Sequence, residues 1–413
     1  MVYIKNKEDI KMELTEREKK NLAILETLRR FGPLSKAEIS KNLNLNVVTT
    51  SNYIDNLLKK RLVLEKELDV SEGGRRPVLL DVNPEAAFFV GIGINLFNTL
   101  AVLVDLKGNI ISRTKREPSP KNAKDIVDNL QGVICETIEK MKDKDKIRGI
   151  GIGIAGIINK REGSIRWPER IDRGYNYVTI SLPLKEILEK TFSLPVLIEN
   201  DATCACFGER FLSASLAEVK NLIYMFSGVG CGIVINGEIF TGTTGCAGEP
   251  TIFNPQEDNL FNCEFASPCF LKRWEQDLGM VEEAKRQLTQ IKDIEKSKIL
   301  ELVEDDIEKV NLRTIFEAAK TKDQISLSIV ERAARRLGVK IAYLVNLLNP
   351  EMVVIGGGLE ETPLIFLEIV KENINSWTFE EAGNAVKVIY SELGESACAV
   401  GAASLVMQRI FSQ

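Results

Sequence analysis

Between Phe88 and Thr114 the chain reads FFVGIGINLFNTLAVLVDLKGNIISRT, three apolar and β-branched stretches separated by turn residues. This pattern predicts three successive strands, with Asp105, Leu106, Lys107, Gly108 and Asn109 making the second turn. Helical and buried-strand patterns then alternate, IRGIGIGIAGII at 147–158 and LPVLIEN at 194–200 among them. A chain so organised is restricted to a mixed α/β body. At 413 residues it exceeds one ordinary core, so two or three domains are expected.

Ahead of this body lies a segment of different character. From Thr15 the run TEREKKNLAILETLRRFG places Leu22, Ile24, Leu25 and Leu28 at near-helical spacing, with Thr15 and Glu18 in a capping-box pattern and Gly32-Pro33 as a stop. Ser35 and Glu38 repeat the box, and Asn44-Leu45-Asn46 separates a second helix from a third, VVTTSNYIDNLLKKR. On that third helix Val48, Tyr53, Ile54, Leu57 and Leu58 are expected to pack inward, leaving Thr49, Thr50, Ser51 and Asn52 near its start to meet base edges. LVLEKEL and RPVLLDV follow as a strand pair around the tip SEGGRR, where Arg75 and Arg76 suit phosphates or the minor groove. The pattern predicts a winged helix-turn-helix; a plain helical hairpin with a solvated turn is the alternative.

Charge supports the first reading. Residues 1–80 carry 16 Lys/Arg against 12 Asp/Glu, while the remainder carries 38 against 47. A cationic head on an acidic body suits nucleic acid. There is no histidine, which excludes histidine acid–base chemistry, triads and metal ligation. The 8 cysteines are scattered without the spacing of a disulfide framework and are expected to be reduced. No apolar run is long enough for a bilayer and no signal segment begins at Met1, so a cytoplasmic address is expected.

The wing SEGGRRP, then IENDATCACFGE, SGVGCGIVINGEIFTGTTGCAGE and LLNPEMVVIGGGL, stand in an order that resembles the ROK family of repressors and sugar kinases. The resemblance implies an actin-like ATPase fold of two lobes, with boundaries expected at 1–82 for the head, 83–200 for the first lobe and 201–413 for the second, which also carries an oligomerisation surface. It places Asn200 and Asp201 at the sugar, the carboxylate being the general base in family kinases, with Glu249 beside them. The loop at Trp167, Glu169 and Arg170 corresponds to a sugar-contacting loop, so Glu169 and Arg170 join the expected sugar set.

Three departures from the family pattern shape the functional reading. The DxGxT-type phosphate loop of the kinases corresponds here to Gly93-Ile94-Asn95-Leu96-Phe97, which lacks both the acid and the threonine, although glycines persist at 227–232 and 356–358. Loss of a hard oxygen ligand for magnesium and crowding by Leu96 and Phe97 argue against ATP use. Ile252 stands where the family's histidine follows Gly-Glu, and the cysteine loop is reduced to Cys263 and Cys269, half of a tetrahedral zinc set, so no metal and no cofactor are expected. The expected protein is a non-enzymatic, sugar-responsive repressor, a homodimer or homotetramer on double-stranded operator DNA. An ATP-dependent sugar kinase with a DNA-binding head and a sugar-independent DNA-binding protein are the competing readings.

Overall fold

A computed structural model describes residues 15–66, 78–95, 97–117, 123–170, 177–216, 218–227, 230–250, 278–290 and 297–411. The N-terminal unit has three helices, α1 (Glu16–Phe31), α2 (Lys36–Asn42) and α3 (Val47–Lys59), and three short strands, β1 (Leu34–Ser35), β2 (Val63–Lys66) and β3 (Leu79–Val82). Both predicted capping boxes form: Thr15 with Glu18, and Ser35 with Glu38. Asn46 caps α3 by accepting the Val48 amide at 2.8 Å. β3 lies between β1 and β2 and pairs antiparallel with each.

The body repeats one strand plan twice. β4 (Phe88–Ile94), β5 (Thr99–Asp105) and β6 (Ile110–Arg116) form the expected antiparallel meander. α4 (Ala123–Glu139) then leads to β7 (Ile147–Ile154), parallel to β4. A hairpin sheet of β8 (Ile157–Asn159), β9 (Ser164–Arg170) and β10 (Tyr177–Leu182) follows, and α5 (Leu184–Phe192) delivers β11 (Val196–Asn200) beside β7. α6 (Asp201–Leu212) closes this half.

In the second half β12 (Leu222–Phe226), β13 (Gly230–Ile235) and β14 (Glu238–Ile239) are again antiparallel. Helices α7 (Met280–Gln290), α8 (Lys298–Leu302), α9 (Leu312–Lys320) and α10 (Gln324–Leu348) precede β15 (Met352–Gly356), parallel to β12. α11 (Leu364–Trp377) and α12 (Glu380–Ala385) lead to β16 (Lys387–Tyr390) beside β15, and α13 (Ala397–Phe411) ends the described chain. The two five-stranded sheets therefore share one order, three antiparallel strands followed outward by two parallel ones.

Each half ends in a helix that covers the other half's sheet. α6, which follows the first sheet, packs on β12 and β13, whereas α13, which follows the second, packs on β4 and β7; the two helices also pack on each other. The crossing is tight because glycines face backbone. A Cβ at Gly401 of α13 would collide with the Cys204 carbonyl of α6, and one at Gly151 of β7 with the Ala402 carbonyl.

The N-terminal unit shares its core with this crossing. Ile24, Leu25 and Leu28 of α1 belong to one buried cluster with Val102, Val104, Leu106 and Met407 of the body. Asp81 of β3, 1% exposed, pairs with Lys107 of the β5–β6 turn at 2.8 Å and with Lys66 at 2.7 Å. The head is thus docked rather than tethered. The charged stretch from Glu282 to Asp323 suggests a solvated insertion, but Ala284, Leu288, Ile299, Ile315 and Phe316 are buried in the main second-lobe cluster.

Candidate functional site

The residues singled out by the sequence lie in two places, the junction where β11 meets α6 and the outer end of α3. At the junction, β11 ends at Asn200 and α6 begins at Asp201, so both residues sit where a strand's carboxyl end becomes a helix N-terminus. Asn200 Oδ1 accepts the Ala202 and Thr203 amides at 3.0 and 3.2 Å. Its oxygen is thereby committed to capping α6, and the side-chain NH2 remains to donate to a ligand.

Asp201 is buried, and its Oδ1 accepts the Ala202 amide at 2.8 Å. Burial raises its pKa to about 7, partly offset by that hydrogen bond. Burial and the nearby Asp201 charge raise Glu249 to about 8. Gly230 brings the two together, since a Cβ there would lie 3.5 Å from Ala202 Cβ and 4.0 Å from the Gly248 carbonyl. Two carboxyls in one poorly solvated place cannot both ionise cheaply near neutrality, so the pair can offer a hydrogen-bond donor and acceptors side by side.

Glu199 was not expected at the site. It is buried, pairs with Lys160 of the β8–β9 turn at 2.7 Å and accepts the Asn200 amide at 3.0 Å. Lys160 also reaches the other side of the cleft, its Cε 3.6 Å from where a Cβ on Gly245 would sit. Glu169 and Arg170 lie on β9, but their side chains fall outside the described residues, as do Cys263 and Cys269. Among the described residues no cluster of three Cys, Asp or Glu side chains is arranged to hold a metal.

Among the described residues, amides at two of the expected phosphate-loop stretches, 93–98 and 356–358, are engaged by the chain itself. Asn95 Oδ1 accepts the Phe97 and Asn98 amides, both at 2.9 Å, so those donors are already engaged. A Cβ at Gly93 would lie 2.8 Å from Cys398 Cβ and 2.9 Å from the Ala399 nitrogen of α13. The place of the missing carboxylate is therefore filled. At the later glycines 356–358, Glu360 accepts the Gly358 amide at 2.8 Å, and burial raises that carboxyl to about 7. These residues do not fit a magnesium nucleotide.

At α3 the expected orientation is rotated by part of a turn. Thr50 is 0% exposed and donates its hydroxyl to the Asn46 carbonyl at 3.0 Å, so it cannot meet a base edge; Val48, expected inside, is 69% exposed. Thr49 and Ser51 are partly exposed and Asn52 exposed, while Ile54 and Leu57 are buried as expected. Tyr53 and Leu58 are partly buried against the same cluster. The tip bearing Arg75 and Arg76 lies outside the described residues.

The model for the family described as ROK matches residues 89–409. The chain belongs to the ROK family. A xylose repressor from Caldicellulosiruptor bescii is 30% identical over 397 residues, covering 95% of this chain and 96% of that one. Among solved structures, a ROK family transcriptional regulator, a homologue of the E. coli MLC protein, superposes with a TM-score of 0.71 at 21% identity over 96% of this chain and 97% of its own. A ROK glucokinase from Streptomyces griseus, in complex with glucose and AMPPNP, gives 0.63 at 27% identity, covering 77% of this chain and 99% of its own. The ROK body is thus of a kind found in regulators and in kinases, and its fold is the expected two-sheet α/β architecture.

Proposed function

We propose that this ROK protein is a carbohydrate-responsive transcriptional repressor whose body binds its effector without phosphorylating it. The observation that carries the reading is the pairing of an exposed Asn52-bearing helix end on a docked head with phosphate loops whose amides are engaged by Asn95 and Glu360. In this reading α1 to α3 and the β2–β3 pair are a winged helix-turn-helix over residues 1–82, Thr49, Ser51 and Asn52 face the major groove, and Arg75 and Arg76 serve the wing. The similarity to a xylose repressor makes a pentose the first effector to try.

Asp201, Glu249 and the amide NH2 of Asn200 hold the sugar, with Glu169 and Arg170 on the β9 side. Without a phosphoryl donor Asp201 accepts or donates hydrogen bonds and abstracts no proton for transfer. Repression is relieved if the effector prefers one head arrangement; a hundredfold preference shifts the balance by about 2.7 kcal/mol. The protein acts in the cytoplasm as a homodimer or homotetramer matching a two-fold operator. An exposed apolar face on α10 to α12, with Leu347, Leu364, Trp377 and Phe379, supports that assembly.

Fluorescence anisotropy with the DNA upstream of its own gene tests the reading. Salt-dependent binding that D-xylose, D-glucose or N-acetyl-D-glucosamine alters supports it. Binding indifferent to every sugar supports a sugar-independent DNA-binding protein. Sugar-dependent ADP release would instead establish a kinase.

A further inference from the structure

Arg29 lies in the last turn of α1, with a side chain only 7% exposed. Its Nε and Nη2 hold the two Glu26 oxygens at 3.0 and 2.7 Å, a forked pairing that fixes the guanidinium plane. Nη2 also donates to the Phe211 carbonyl at 2.6 Å, and Cζ stands 3.4 Å over the Phe211 ring centroid. Phe211 belongs to the last turn of α6, whose carbonyls have no partner within the helix and whose end is partially negative. A side chain of the head therefore completes the end of a helix of the body.

The opposite end of that helix is Asp201. A 12-residue helix spans roughly 18 Å at 1.5 Å per residue, with no break between the two ends. The Phe211 ring stacks on Phe207 at 5.5 Å, and Gly108 abuts both Phe211 and Leu212, so the α6 terminus is held on several sides. The apolar part of the head–body contact is less complete: a cavity of about 50 Å³ opens among Leu22, Leu25, Val82, Leu106, Met407 and Phe411. A second polar tie, Asp81 with Lys107, reaches the β5–β6 turn, and Arg210 of α6 also feels the charges of Glu26 and Arg30 on α1.

We infer that Arg29 is a positioning residue that ties the setting of the head to α6, so that a ligand engaging Asp201 at one end of the helix moves the head through the other. The identity of that ligand rests on the carbohydrate reading above; the mechanical tie rests on the Arg29 geometry alone. Replacement by glutamine removes the charge and the fork, while lysine keeps a charge on a flexible stem.

Hydrogen exchange read by mass spectrometry on the full chain, comparing wild type with R29Q and R29K, separates the two. Without sugar, R29Q is expected to speed exchange in α1 and in the last turn of α6 about tenfold, with R29K between. With D-xylose or N-acetyl-D-glucosamine, the wild type is expected to change protection near Asp201 and in α1 together, whereas R29Q keeps the first change and loses the second. An α1 response in R29Q equal to that of the wild type overturns the inference, as does sugar-free exchange that neither variant alters. No change near Asp201 in the wild type with any sugar counts against the carbohydrate reading, and the sugar-free comparison still decides whether Arg29 holds the head on α6.

Discussion

Thr50 and Val48 show why a helix face read from polarity alone lands on the wrong side. Threonine scored as an outward polar residue, but its hydroxyl is satisfied by the Asn46 carbonyl four residues back, so it can be buried beside Ile54 and Leu57. T50V is accordingly expected to leave DNA affinity within about twofold, while N52A weakens it by about 1–3 kcal/mol without lowering Tm, as anisotropy and thermal melts would show. Asp201 is singled out by its motif, whereas its raised pKa has no local signal in the sequence, because its burial is a property of the fold. That pKa, about 7 folded against an ordinary 3.8, means the folded state holds a proton that the unfolded state releases. Stability from this group is fully present below pH 4 and lost as pH rises toward 7, by about 4 kcal/mol at most. Melting curves from pH 5 to 8 should therefore fall with pH, and D201N should flatten the fall. A pH-independent wild type would remove the buried-carboxyl argument.

Regular elements were largely readable. The β4–β5–β6 meander and both capping boxes follow from alternation and from the Thr15–Glu18 and Ser35–Glu38 spacing, local signals that tertiary contact does not override. The α7–α9 region misled because its charged residues outnumber the apolar stripe of Met280, Ala284 and Leu288, which recurs every fourth residue and buries. Nothing local distinguishes Gly151 or Gly401 from other glycines; their role depends on contacts with Ala402 and Cys204, about 200 to 250 residues away in sequence. G401A is expected to destabilise by about 3 kcal/mol or more, because the obstructing atom is backbone and cannot rotate away. Denaturant unfolding checks this, and a loss below about 0.5 kcal/mol would contradict the contact. Gly93 behaves similarly: G93D should lower Tm and confer no thermal shift with millimolar MgATP, since Cys398 and Ala399 occupy the space.

At the scale of the whole molecule, the head, the first sheet and α13 share one buried core, although they stand at opposite ends of the chain. Separate domains laid end to end, as the sequence alone suggests, would unfold in steps; a shared core predicts that head and first lobe lose structure together in one transition, which calorimetry with a probe on each can test. Order of synthesis gives this arrangement a further meaning. A nascent chain emerging from its N-terminus can form the head and the first meander early, but the face of β4 and β7 that α13 covers stays bare until residues 397–411 appear. A polypeptide lacking α13 would carry its N-terminal unit on an unfinished face, with no fixed bearing on the body.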